Sequence, residues 1–93
     1  MRIIGEIPHP GLKITVFKMD NRITVKFENA HFDQSYKFNI SEQLQHFQDV
    51  ERFVDEQFIK DVVANFKYLN ATKVQALNRF LVIDDEDEFD AII

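Results

Sequence analysis

The sequence predicts an α+β fold: an antiparallel β-meander of three or four strands in the N-terminal half, packed on one face by two or three helices from the C-terminal half. Three observations carry this. Apolar and polar residues alternate between Leu12 and Ile40, apolar residues recur at three-and-four spacing from Leu44 onward, and Asp20-Asn21 falls between two alternating runs where a tight turn belongs.

Taken in order, Arg2-Ile3-Ile4-Gly5-Glu6-Ile7 is a candidate first strand, closed by Pro8-His9-Pro10-Gly11. Two prolines around one residue force a stiff, extended connection there. Leu12, Ile14 and Val16 then share one face and Lys13, Thr15 and Phe17 the other; Ile23, Val25 and Phe27 alternate with Arg22, Thr24, Lys26 and Glu28. With Asp20 and Asn21 as a two-residue hairpin loop, Met19 faces Arg22, Val16 faces Val25, Ile14 faces Phe27 and Lys13 faces Glu28. Apolar meets apolar and charge meets opposite charge, an agreement that choosing the turn did not impose. Both loop residues tolerate the left-handed backbone such a turn requires. A third alternating run places Phe32, Tyr36, Phe38 and Ile40 on one face and His31, Asp33, Ser35, Lys37 and Asn39 on the other, with Gln34 interrupting the apolar row.

The second half has helical spacing. Val54, Phe58, Ile59, Val62, Val63, Phe66 and Leu69 form one broad stripe with Asp55 as its cap, and Leu44, Phe47, Val50 and Phe53 predict a short helix before it. Ser41 is expected to open a helix. Thr72-Lys73-Val74-Gln75 matches a capping box, which predicts a separate last helix with Val74, Leu77 and Leu81 on its apolar side, ending near Val82. The expected organisation is one domain over residues 1–83 and an acidic, apolar-tipped tail over 84–93, extended between 84 and 90 because acids at that density repel one another.

Composition excludes several function classes. The 93 residues suffice for one domain with a real core. No cysteine is present, so disulfides and thiolate metal sites are ruled out. No apolar run approaches the length of a membrane span and no secretory leader is recognisable, which predicts a cytoplasmic protein without a membrane partner. The net charge is −5, from 11 basic and 16 acidic residues. Without the six acids between Asp84 and Asp90 the balance would be 11 against 10, so the acidity is local.

Catalytic chemistry finds no support in the residue pattern. His9, His31 and His46 lie far apart with no pair at metal-ligand spacing, and the two glycines, Gly5 and Gly11, do not make a phosphate loop. Ser35 and Ser41 stand outside any nucleophile-elbow setting. The carboxylate pairs Asp55-Glu56 and Asp84-Asp85 lack apolar surroundings that would tune them for acid-base work. The expectation is a protein that is not an enzyme, with no catalytic residue, metal or cofactor.

The string GEIPHPGLKITVFKMDNRITVKFE, Gly5 to Glu28, followed by DQSYKF, Asp33 to Phe38, resembles a group of short uncharacterised proteins associated with Bacteroidetes genomes or their phages. The resemblance covers about the first forty residues well, and the helical half only in style. It implies a bacterial or phage origin and no activity, cofactor or site residue.

Two surfaces are functional candidates. Asp84, Asp85, Glu86, Asp87, Glu88 and Asp90, with Phe89, Ile92 and Ile93 as apolar anchors, could dock on a protein with a basic surface. Lys13, Arg22, Lys26 and Lys37, interleaved with Phe17 on one sheet face, are a pattern that single-stranded nucleic acid can use. The leading expectation is a non-catalytic interaction or assembly module acting through its acidic end. A nucleic-acid-binding accessory protein is one alternative, and a phage or mobile-element structural or inhibitor protein another. Gln34, on an otherwise apolar row, could mark an edge used for pairing, which leaves the oligomeric state open.

Overall fold

The computed structural model describes residues 1–87, with side chains described through Val82. Four strands, β1 (Arg2–Ile7), β2 (Lys13–Met19), β3 (Arg22–Glu28) and β4 (Asp33–Asn39), precede two helices, α1 (Phe47–Phe53) and α2 (Glu56–Asp87). The strands pair antiparallel in chain order, β1-β2-β3-β4, so the sheet is a meander within an α+β fold. The chain divides into two compact units, Met1–Val62 and the segment from Val63 onward, and α2 crosses the division.

The β2–β3 register is the expected one, with Met19 opposite Arg22, Val16 opposite Val25, Ile14 opposite Phe27 and Lys13 opposite Glu28. Asp20 carries the turn at φ 54°. That region is sterically closed to most side chains but open to a short polar one. The next hairpin is closed by Asn29, whose side-chain oxygen accepts from the backbone N–H groups of His31 (2.9 Å) and Phe32 (2.8 Å). Between β1 and β2, His9 Nδ1 accepts from the Gly11 N–H at 3.0 Å, so this histidine shapes the turn between the two prolines.

Alternation puts Ile14, Val16, Ile23, Val25 and Phe27 on one sheet face, and all five are buried, as are Val50, Val54 and Val62. Aromatic rings extend this layer. Phe27 meets Tyr36 and Phe58 edge-on at 5.8 and 5.1 Å between ring centres, and Phe53 meets Phe38 and Phe58 at 4.8 and 5.4 Å. Gln34 belongs to the same layer. Its amide donates to the Val62 carbonyl at 2.9 Å and its oxygen accepts from the Tyr36 hydroxyl, so the break in the apolar row is a polar tie between β4 and the first turns of α2. On β1, the register shifts between Ile3 and Gly5, and a side chain on Gly5 would come within 2.3 Å of the Phe47 ring. Glycine is required there because α1 lays that ring on the strand.

The short-then-long helix order is as expected, and Asp55 Oδ1 accepts from the Phe58 N–H at 2.9 Å, capping α2. Three expectations fail. Ser41 opens no helix; it exchanges backbone bonds with Leu44 (3.2 Å each) in a tight turn, and α1 starts only at Phe47. Thr72 caps no helix either. It lies within α2 and its hydroxyl donates to the Tyr68 carbonyl at 2.9 Å, because no glycine or proline occurs after residue 11 to stop the preceding turns. The helix does not end near Val82, and residues 84–87, expected to be extended, are helical. Once started, a helix gains a backbone bond for each residue added, which outlasts local repulsion.

Candidate functional site

The outer sheet face is built by register. Across the strands, Phe17 neighbours Thr24, which neighbours Lys37; Thr15 neighbours Lys26, which neighbours Ser35; Met19 neighbours Arg22. These rows surround a cleft of about 340 Å³ lined by Phe17, Arg22, Thr24, Lys26, Ser35 and Lys37 together with Met1, Met19 and Asp33. Three cations, two hydroxyls and one ring thus converge against a single carboxylate. Of the five residues picked out on this face, Phe17, Arg22, Lys26 and Lys37 come together; Lys13 does not, lying in the far row beside Glu28. Lys26 is drawn toward the same Glu28, with Nζ to Oε2 at 3.8 Å, and Glu28 itself stands opposite Asp33. A phosphate in the cleft would therefore compete for Lys26 with a long, partly exposed ion pair.

A second concavity was not legible in the sequence. Tyr36, Phe38, Phe53 and Phe58 floor an open groove beside edge strand β4, with Asp55 and Asp61 at its rim. Read as helix and strand periodicity these rings are simply core, yet Phe53 remains 40% exposed. The spacing of Asp55 and Asp61 around Phe58 is the only trace of the groove in the sequence. Gln57 donates to Asp61 Oδ1 at 3.0 Å and fixes one rim carboxylate.

The third feature is α2 from Val63 onward. Val63, Tyr68, Leu69, Val74, Leu77, Phe80, Leu81 and Val82 are all exposed. The apolar side expected for Val74, Leu77 and Leu81 exists, but it is not buried. Of the acidic-end residues, Asp84, Asp85, Glu86 and Asp87 continue the helix, whereas Glu88, Phe89, Asp90, Ile92 and Ile93 lie outside the described residues. The last turn of α2 carries no basic residue, so acids occupy the end where the helix dipole favours cations.

The three histidines stay apart, and no group of three potential metal-ligating side chains gathers among the described residues. Asp49 has a carboxyl held below the usual value of 3.8, first by the Gln45 and His46 backbone N–H groups (3.0 and 2.9 Å) and then by Arg52 at 2.9 Å. It starts α1 and touches none of the three surfaces. Among the described residues no helix is long and apolar enough to cross a membrane.

A small antiparallel sheet with helices over one face is an architecture that hosts many functions, so the fold by itself assigns none. The chain matches no protein-family model, no curated protein and no solved structure.

Proposed function

We propose that this chain is a non-catalytic protein-interaction or assembly module, of bacterial or phage origin and acting in the cytoplasm, whose C-terminal helix with its acidic end engages a basic partner. The observation that carries this reading is the exposed apolar surface of α2 between Val63 and Val82, which leads directly into Asp84–Asp90. Apolar groups beside a dense charge of one sign are what a docking element needs: the charge steers and orients, and the buried apolar contacts hold. The test is affinity capture from source-cell lysate with the full chain and with a version ending at Ile83. A basic protein held by the full chain alone, and released by salt, supports the reading. Equal capture by both versions removes the acidic end from it.

The cleft on the outer sheet face favours a second reading, binding of single-stranded nucleic acid. Here Arg22, Lys26 and Lys37 would meet phosphates and Phe17 would stack a base. Replacing Lys13, Arg22, Lys26 and Lys37 together should abolish retention of a labelled oligonucleotide and leave protein partners untouched. Retention that survives those changes excludes this reading.

A further inference from the structure

We propose that the free edge of β4 takes an extended peptide of a partner protein as a fifth strand, and that the groove beside it receives an arginine of that peptide. The site uses neither the cleft on the outer sheet face nor the segment from Val63 onward, so it stands apart from both functions proposed above.

The backbone supplies the first observation. The bonds that bracket the β3–β4 hairpin, from the Asn29 N–H to the Phe32 carbonyl (3.0 Å) and from the Ile40 N–H to the Asn21 carbonyl (2.9 Å), fix the alternation between them. Gln34, Tyr36 and Phe38 therefore bond to β3. Asp33, Ser35, Lys37 and Asn39 turn their N–H and C=O groups outward, where these meet no partner among the described residues. Such a row is a template for another strand. β4 runs for seven residues in unbroken register with neither a proline nor a bulge. The opposite edge, β1, shifts register between Ile3 and Gly5 and meets the Phe47 ring there.

The groove supplies the second and names the occupant. A residue of the added strand set opposite Tyr36 or Phe38 shares their face of the sheet, and so stands over the groove that these rings form with Phe53 and Phe58. Asp55 and Asp61 line the same groove, and no cation does. Asp55 Oδ1 accepts from the Phe58 N–H and Asp61 Oδ1 from Gln57, which leaves the second oxygen of each carboxylate without a partner among the described residues. Four rings and two carboxylates favour a guanidinium, which stacks on an aromatic face and offers forked N–H groups to an acid; an ammonium is a more strongly hydrated point charge. Moved one position along the strand, the arginine would point to the other face, beside Lys37. Charge and place in the strand are thus both specified.

The experiment titrates the full chain into a fluorescein-labelled heptapeptide and reads anisotropy. The peptide carries arginine at its centre, valine at its second and sixth positions and threonine elsewhere. Exchanging the arginine for neutral citrulline should weaken binding about tenfold or more. Asp55→Asn combined with Asp61→Asn should do the same, since asparagine keeps the helix cap while both charges are removed. Glu42→Gln combined with Glu51→Gln makes the same change of net charge outside the groove and should leave binding unchanged. N-methylation of alternate peptide amides separates the two edges of the added strand, so one set should abolish binding and the other leave it intact. Circular dichroism checks that each variant is folded.

Failure of the arginine peptide to bind overturns the proposal outright. Binding that survives the paired asparagine variant overturns it too, because the cation would then sit on other acids of the chain. Tolerance of both methylation patterns would leave no backbone bonds to β4, and equal binding of the citrulline peptide would remove arginine as the occupant. A dimer that the peptide does not disperse, joined through Ser35→Cys by a short bismaleimide, would give the edge to a second copy and overturn the proposal as well.

Discussion

Thr15 shows how much a single hydroxyl can weigh. It is 3% exposed, on the sheet face opposite Ile14 and Val16, and its Oγ1 finds no hydrogen-bond partner among the described residues. A buried hydroxyl without a partner costs about 1–3 kcal/mol of desolvation, while its methyl group packs at no such penalty. Thr15→Val, which keeps the shape and the β-branching, should therefore raise stability by about 1 kcal/mol in a urea titration; a loss of that size would mean that the hydroxyl is bonded in solution. Asp49 works in the opposite sense. Its native carboxyl titrates below 3.8, so the unfolded chain binds the proton more readily and the native state gains stability as pH rises through that range. The gain is complete above the unfolded value and is lost as the pH falls through the native one. Wild type should thus exceed Asp49→Asn in stability at neutral pH, with the difference shrinking as the pH falls from about 4 downward. A difference that stays constant across that range would remove charge as its cause. Neither role could be read from the sequence, because both depend on neighbours that only folding supplies. The same holds for Gln34, where a polar residue on an apolar row is legible as an exception, but its bond to the Val62 carbonyl requires knowing where α2 lies on β4.

At the scale of elements, legibility follows the range of the interactions that decide each one. The β2–β3 hairpin was readable because a two-residue turn fixes every cross-strand pair, and the pairs could be checked for like meeting like. The junction of α1 and α2 was readable through Asp55, a local cap. The supposed third helix was misread for the reverse reason. A capping box is a start signal only if a stop comes before it, and Asn70-Ala71 is no stop. The structure gives Thr72 a mid-helix role, donating back to Tyr68. Thr72→Ala then exchanges a weak helix former for the strongest, and should leave stability unchanged or raise it by up to about 0.7 kcal/mol. A helix-capping threonine would lose about 1 kcal/mol on the same change. Thermal unfolding followed by circular dichroism separates the two signs, and a clear loss would restore a helix start at that position.

Over the whole molecule, burial is divided as unevenly as charge. Ile14, Val16, Ile23, Val25 and Phe27 are buried in the sheet unit with Val50, Val54 and Val62, while Leu69, Val74, Leu77, Phe80, Leu81 and Val82 of α2 face solvent. This asymmetry was out of reach of periodicity, since an apolar stripe has the same spacing whether it is covered or bare. Its consequence is measurable. A buried strand opens only with global unfolding, whereas a single helix of about 20 residues in water is marginal by itself and holds its amides weakly. Hydrogen exchange should therefore protect the amides of β2 and β3 most strongly, and those of residues 70–82 least, with the change falling within α2. If a partner covers the apolar side of α2, adding that partner raises protection over residues 70–82 while that of the sheet does not change. Mass action demands this, because association stabilises only the surface it buries. Protection of residues 70–82 equal to that of β3 in dilute solution would mean that one chain alone stabilises the helix, leaving its apolar side with no need of a partner.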